Sequence, residues 1–405
     1  MLIYSASIWR NFDFTIYWIG QTISALGNAV SYFVLPLMVL QLTKSPSQVT
    51  IVMGLALLPY AIIGLPVGAL IDTLDRKRVM KVCDAARCVV LMSVPVANAL
   101  HVLTIWQLYF VSLITGTCLV FFSVAEVSSL PSIIDRQLIG QANSLIYAGS
   151  NATDILGPLA AGVLYSRIGY ANLIGFDSIS FLISFLSLTL INKEFQSGEA
   201  AKVTWKQVKR DTASGLKYLM TSPLIRTMAI IVSVSNFVAS PYYVYVLVFA
   251  RRSLHASPTV LGALWGISSF GAFLGSLTSG KLGKRFGFRL VIVFAILADT
   301  LARLVLPLSP TTFVMIPVLA LTNAAQAVLN VSIISERQTS APSQMLGRVN
   351  SAFRTLTIGV QPFGLFVGGV IIANTGGFLA LLLVGILFVP ISFYAWWGLR
   401  RPAMQ

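Results

Sequence analysis

Gly140-Gln141-Ala142-Asn143-Ser144, followed by Gly157, Gly162 and Gly169, is answered 207 residues later by Gly347-Arg348-Val349-Asn350-Ser351, Gly364, Gly369 and Gly376. A second echo links Gly68 and Leu70 to Gly280 and Leu282, at an offset of 212. Each echo sits where an apolar stretch meets a basic loop. The chain therefore reads as two copies of one apolar half, joined near residues 193–222. Duplicated halves of this kind, with a binding site at the seam, are a common way to build a membrane protein.

Composition points to the same solvent. Apolar residues make up 56% of the 405, charged residues 10%, and mean hydropathy is +0.83. Soluble domains carry about 25% charged residues, and a chain this apolar could not stay dispersed in water. A helical crossing needs roughly 20 mostly apolar residues. Twelve such stretches are expected, at about 12–36, 46–71, 79–100, 104–130, 138–165, 170–192, 222–250, 257–280, 288–308, 311–334, 346–373 and 377–398. Backbone groups in lipid must bond within their own segment, so every stretch is expected to be helical. The expectation is an all-α integral membrane protein: a six-helix unit over 1–192, a linker over 193–221 and a second six-helix unit over 222–405. The first stretch is longer than a signal-peptide core, lacks a cleavage pattern and opens a repeated half, so it reads as retained.

Charge gives an orientation. With the N-terminus in the cytoplasm, only Lys44, Arg167, Arg251, Arg252 and Arg303 of the 28 Lys and Arg residues fall in the outer half. The other 23 fall on the cytoplasmic side, as the positive-inside rule requires. Both termini are thus expected inside, against the anionic inner leaflet, which accounts for the net charge of +15. Nucleic acid is excluded as a partner, because the charge is spread over short loops rather than gathered in one patch. Cys83, Cys88 and Cys118 fall inside spans, with neither disulfide nor metal spacing. No phosphate-binding loop suggests ATP as a direct energy source, and no cofactor or obligate protein partner is implied.

The joining segment has a pattern of its own. Trp205, Val208, Thr212, Leu216 and Leu219 recur at helical spacing, with Lys202, Lys206, Lys209, Arg210 and Lys217 on the other faces. This predicts an amphipathic helix on the inner leaflet, clamping the halves together.

The second stretch closes on Gly68-x-Leu70-x-Asp72-Thr73-Leu74-Asp75-Arg76-Lys77-Arg78. This resembles the signature loop between helices 2 and 3 of the major facilitator superfamily. The second acid before Arg-Lys-Arg is similar to the macrolide-efflux and siderophore-export branch. Thr73 and Asp75 stand where the superfamily usually has Arg and Gly, and the second copy places Lys284 where the acid would be. Physically the loop makes a latch: Gly64 and Gly68 admit a close helix, and Asp72 at a helix end can face a neighbouring helix N-terminus. The resemblance implies that this neighbour is helix 11, starting near Arg348 and Asn350. Gly68, Asp72, Asp75, Arg76 and Arg78 are the expected gating residues.

Gly157-Pro158-Leu159-Ala160-Ala161-Gly162 is similar to the antiporter motif of exporters in that superfamily, with Ala161 replacing one Gly. Gln141-Ala142-Asn143-Ser144-Leu145 and Asp177-Ser178-Ile179-Ser180-Phe181-Leu182 extend the resemblance. It covers nearly the whole chain and implies the major facilitator fold, two pseudo-symmetric bundles of six helices.

Ionisable groups inside spans are costly and default to function. Asp154 and Glu126 have no basic partner nearby in sequence. They are the proton-coupling candidates, because an apolar setting favours the neutral acid until water or cargo arrives. Asp84 with Arg87, and Asp299 with Arg303, are spaced to pair on one helix face and read as structural. The resemblance places helices 1, 4, 7 and 10 around the cargo cavity, which makes Gln21, Asn28, Tyr32, Asn236, Tyr242, Asn323 and Gln326 the cavity candidates. Aromatic and amide groups with few fixed charges suit bulky amphiphiles. The expected function is proton-coupled export of drug- or macrolide-like small molecules by alternating access in a bacterial cytoplasmic membrane. Alternatives are siderophore export on the same fold, proton-coupled solute import, and a membrane-embedded enzyme or sensor. The last would need a catalytic cluster or an appended soluble domain, and neither is visible.

Overall fold

The computed structural model describes residues 8–71, 73–135, 138–195, 205–342 and 345–400. Its helices are α1 (Phe12–Thr43), α2 (Pro46–Ile71), α3 (Arg76–Ala99), α4 (Ile105–Ile133), α5 (Ile139–Leu190), α6 (Trp205–Thr221), α7 (Pro223–Ala239), α8 (Tyr242–Arg252), α9 (Pro258–Phe286), α10 (Phe288–Val305), α11 (Thr312–Ser340), α12 (Leu346–Gly359) and α13 (Gln361–Arg400). No strand occurs among the described residues. Helix starts follow side-chain chemistry. Asn11, Asp75, Thr104, Ser257 and Thr311 each accept the backbone N–H three residues on, capping α1, α3, α4, α9 and α11.

Nine helical stretches among the described residues are long and apolar enough to cross a membrane. Two of them, Ile139–Leu190 and Leu346–Leu399, are double length. Gly169 (φ 76°) and Gly376 (φ 75°) break them at equivalent points, where only glycine takes this backbone without strain. The more charged α3 runs alongside as a further crossing, which completes twelve. The sequence echo between Gly169 and Gly376 is thus an echo of backbone geometry.

Two expected single spans are interrupted. The seventh breaks between α7 and α8 at Pro241, and the eleventh between α12 and α13 at Val360, just before Pro362. Proline has no backbone N–H to give to the preceding turn, so each helix yields there.

Within the first half α1 packs on α5, α2 on α4, and α3 on both α4 and α5. In the second half α9 packs on α11, α10 on α11 and α13, and α7 on α13. The halves repeat each other's contacts with the small residues exchanged. A Cβ on Gly116 of α4 would lie 2.0 Å from the Ala56 carbonyl oxygen of α2, and one on Gly271 of α9 would lie 2.0 Å from that of Ala320 in α11. Neither pair of helices could approach so closely with a larger residue at the glycine.

The halves meet through α5 on α9, and through α13 and α12 on α2. At the face away from the basic loops the seam is shut. Cβ atoms on Gly162 and Gly262 would each lie 3.0 Å from the other's Cα, Thr259 Oγ1 donates to the Gly162 carbonyl at 3.0 Å, and Arg252 donates to the Lys44 carbonyl at 2.7 Å. On the other side Gly369 lies against Thr50. Toward the basic face the seam opens. Among the described residues, Gly68, Gly140, Gly280 and Gly347 have no atom within 4 Å of where a Cβ would sit. Partway toward that face Arg354 donates across the seam to Tyr60 Oη, at 2.8 Å. The cleft is open on the basic face and sealed on the opposite one.

The linker helix is α6. It lies against α12, with the Gly215 backbone so close to Arg348 that a Cβ would fall 2.4 Å from the Arg348 carbonyl oxygen. Leu219 is buried beneath it. Lys202 lies outside the described residues.

Candidate functional site

The cleft at the seam holds the candidate site. Its main chamber, 510 Å³, is lined by Asn28 and Tyr32 from α1, Ser150, Asp154 and Pro158 from α5, Tyr243 from α8, Trp265 and Ser269 from α9, and Asn323 from α11. A second chamber of 250 Å³ continues into the C-terminal half past Tyr32, Tyr243 and Trp265, reaching Asn236, Tyr242, Arg303, Gln326 and Gln361. A third, 290 Å³, runs into the N-terminal half past Asn28 and Tyr32 to Arg87 and Asp177. Tyr32 lines all three, so the chambers form one branched cleft.

Asp154 is exposed on the wall of the main chamber and makes no hydrogen bond or ion pair among the described residues. One turn further along α5, Gly157 lies against Ala29 and Val30 of α1, and the carbonyl of Pro158 lies against Gly262 of α9. Pro158 and Gly162 of the exporter-like motif therefore meet α9 where the sealed face closes, whereas Gly157 packs on α1 within the first half. Glu126 sits elsewhere. It is half-buried in α4, accepts a bond from Tyr17 Oη at 3.0 Å, and is not among the residues lining the chambers.

The two expected ion pairs differ. Arg303 Nε meets Asp299 Oδ1 at 2.9 Å, both fully buried, and Gln326 donates to the other carboxylate oxygen. Tyr242 and Phe388 stack on the guanidinium, their ring centres 4.2 and 4.5 Å away. Asp84 and Arg87, by contrast, do not pair. Asp84 accepts from Ser184 at 2.6 Å, while the Arg87 guanidinium lies between the rings of Phe122 and Phe181, with Nε and Nη2 unbonded. The Ser184 hydroxyl of α5 bonds one oxygen of the acid and leaves Oδ1 without a partner, while the ring faces hold the cation away from it. Neither partner is visible from spacing along α3.

The other cavity candidates have these places. Asn28, Tyr32, Asn236, Tyr242, Asn323 and Gln326 line the cleft. Gln21 does not. It donates to Ser184 at 3.0 Å, joining α1 to α5. Sequence reading passed over Tyr243, Trp265 and Gln361. Tyr243 and Trp265 stack at 4.3 Å, with Tyr32 at 5.4 Å from Tyr243, and form an aromatic wall between the main chamber and the one in the C-terminal half. The signal available in sequence was the proline beside each break, since Tyr243 follows Pro241 and Gln361 precedes Pro362.

Of the gating residues, Asp72 lies outside the described residues. Gly68 stands free at the open face. Asp75 caps α3 and pairs with Arg78 at 3.1 Å in a solvent-exposed setting. Arg76 donates to the Ser128 carbonyl at 2.8 Å, and Lys77 to that of Ile191. The loop is thereby fastened to α4 and to the end of α5.

Solved structures share this architecture at low identity. They include the nucleoside transporter NupG, with a TM-score of 0.80 at 14% identity over 95% of this chain and 99% of that one. A bacterial homologue of the iron transporter ferroportin, inward-facing, gives 0.70 at 16% identity over 95% and 99%. Curated relatives include the multidrug efflux pump Tap of Mycolicibacterium fortuitum, 25% identical over 90% of this chain and 91% of the relative. The enterobactin exporter EntS of Shigella boydii is 24% identical over 81% and 79%. The model of the transmembrane secretion effector family matches residues 5–404. With the twelve crossings, the two repeated halves and the cleft between them, this makes the chain a multi-pass membrane transporter of the major facilitator superfamily, in its transmembrane secretion effector family.

Proposed function

We propose that the protein is a proton-coupled exporter of amphiphilic small molecules that works by alternating access. One observation carries the reading: the unpartnered acid Asp154 stands on the wall of a cleft that is open to the basic face and sealed by the motif immediately following it. The basic face is the cytoplasmic one by the positive-inside rule, so the cleft faces the compartment from which an exporter loads. The aromatic wall of Tyr32, Tyr243 and Trp265, with amides at Asn28, Asn236 and Asn323, suits flat, amphiphilic cargo. Relatives that export multiple drugs and a siderophore agree with outward transport of such molecules.

Asp154 supplies the coupling in this reading. A carboxyl on the wall of the cleft can hold either a proton or a cationic cargo group, but not both at once. Cargo loading from the cytoplasm then expels the proton, and reprotonation from outside resets the carrier. The test uses purified protein in liposomes with an imposed pH gradient and no ATP, and a panel of cargo found by drug-susceptibility and siderophore-secretion screens in an efflux-deficient host. Gradient-dependent uphill movement is expected. Transport that ignores the gradient overturns the coupling, and secretion of a siderophore without drug resistance names the narrower exporter.

A further inference from the structure

The C-terminal branch of the cleft holds an excess of hydrogen-bond donors. Arg303 is 3% exposed and lines this branch, yet its Nη1 has no partner, since the Asp299 pair uses Nε. Tyr243 and Trp265 line the same branch, and their Oη and Nε1 are likewise without a partner and closed off from solvent in this conformation. Arginine and indole nitrogens can only donate. Asp299 does not serve them: its oxygens are bonded to Arg303 Nε and Gln326, and Arg303 Nη1 stays unbonded. A buried donor left unfilled is costly, more so when it is charged. The side chains are also held in place: Arg303 between the rings of Tyr242 and Phe388, and Tyr243 stacked on Trp265. Across the aromatic wall, in the main chamber, stands the free carboxyl of Asp154. The cleft is therefore polarised, with an acceptor on the α5 side and fixed donors on the α8, α9 and α10 side.

We propose that the cleft selects dipolar amphiphiles, taking a cationic group at Asp154 and an oxygen acceptor, a carboxylate or phenolate, at the donors of Arg303, Tyr243 and Trp265. This rests on the export reading and sharpens it by naming the chemistry of the cargo. An apolar cation alone leaves the donors unfilled, and an anion alone meets Asp154 with nothing to offset it. A charge-assisted hydrogen bond to a buried group is worth roughly tenfold or more in affinity.

The test is equilibrium binding in lipid nanodiscs without any gradient, so failure of proton-coupled export leaves its readout intact. The probes are the fluorescent quinolone norfloxacin, a zwitterion; its methyl ester, which lacks the anion; and its N-acetyl derivative, which lacks the cation. Anisotropy should give the zwitterion at least about tenfold tighter binding than either derivative. Asp154→Asn should abolish its advantage over the N-acetyl derivative and leave that over the ester. Tyr243→Phe should reduce the advantage over the ester alone. The double variant Asp299→Asn with Arg303→Gln, which keeps a neutral bonded pair in place of the ion pair, should do so more strongly. A misfolded variant would weaken all three probes together and could not give this crossed pattern. Equal affinities in the wild type, no binding of the zwitterion, or variants that weaken all probes alike would overturn the proposal and leave the donors to water.

Discussion

Asp154 and Glu126 are both acids within spans, and their surroundings separate them. Glu126 already accepts a bond from Tyr17 and lies off the cleft, whereas Asp154 faces the main chamber with no partner among the described residues. Asp154→Asn keeps the shape and bonding of the neutral acid but has no proton to release. The expected variant folds and still binds cargo, without the gain from a cationic group, yet loses uphill efflux and its dependence on pH in the liposome assay. Full gradient-driven efflux by this variant would remove Asp154 from the mechanism and bring Glu126 forward. The ion pairs make a second contrast at this scale. Asp299→Ala strands the buried Arg303 guanidinium and should cost on the order of 3 kcal/mol, read as a clear fall in Tm in detergent. Asp75→Ala touches a pair that is 86% and 50% exposed, so what it loses is chiefly the helix cap, about 1 kcal/mol. Equal falls in Tm would contradict the buried pairing.

Among the elements, α5 and α9 decide which face is shut. Their crossing at Gly162 and Gly262 leaves no room for a side chain: a Cβ on Gly162 would lie 2.9 Å from the Pro258 carbonyl oxygen, and backbone cannot swing aside as a side chain can. Gly162→Leu should therefore disfavour the conformation sealed at this face by about 1–3 kcal/mol, a shift of roughly fivefold to more than a hundredfold. The bundles themselves should remain folded, because parting the seam relieves the clash. A cysteine at Thr50, beside the same seal, should become reactive to an impermeant thiol reagent added from the sealed side, and transport should stall. Unchanged reactivity with normal transport would mean that α5 and α9 part elsewhere. The breaks at Pro241 and Pro362 act at this scale too, since they deliver Tyr243 and Gln361 to the cleft.

For the whole molecule, the conformation open at the basic face is one of at least two that a carrier must visit. Gly68, Gly140, Gly280 and Gly347 lie at its mouth on the basic face, with no described atom within 4 Å of where a Cβ would sit. In a background lacking the three native cysteines, single cysteines at these four positions should react readily from the basic side. They should be protected when a gradient drives the carrier to its other state. The signature-loop acid enters here. If Asp72 latches the closed mouth, Asp72→Asn loses an interaction of about 1 kcal/mol and raises reactivity at all four sites roughly fivefold, with normal protein abundance. Unaltered reactivity and transport would reduce the loop to a determinant of orientation.

The local sequence by itself determined the helical crossings, the duplication and the glycine turns at Gly169 and Gly376, but the breaks at Pro241 and Val360 fell inside stretches read as single spans. Lengths of apolar chain and glycines that tolerate positive φ act through neighbouring residues alone, and so can be read in order. The joining helix α6 was legible for the same reason, from its periodic apolar face. The resemblance carried by the signature loop and the Gly157–Gly162 motif pointed to the superfamily that the family match then established. Only the tertiary structure decided which face is shut, that Arg87 turns from Asp84 to the rings of Phe122 and Phe181, that Gln21 serves a helix contact, and that Asp154 rather than Glu126 borders the cleft. Each of those depends on how one helix is rotated and tilted against another that is distant in sequence. Side-chain spacing along a single helix fixes which residues share a face, but the partner helix determines what that face meets.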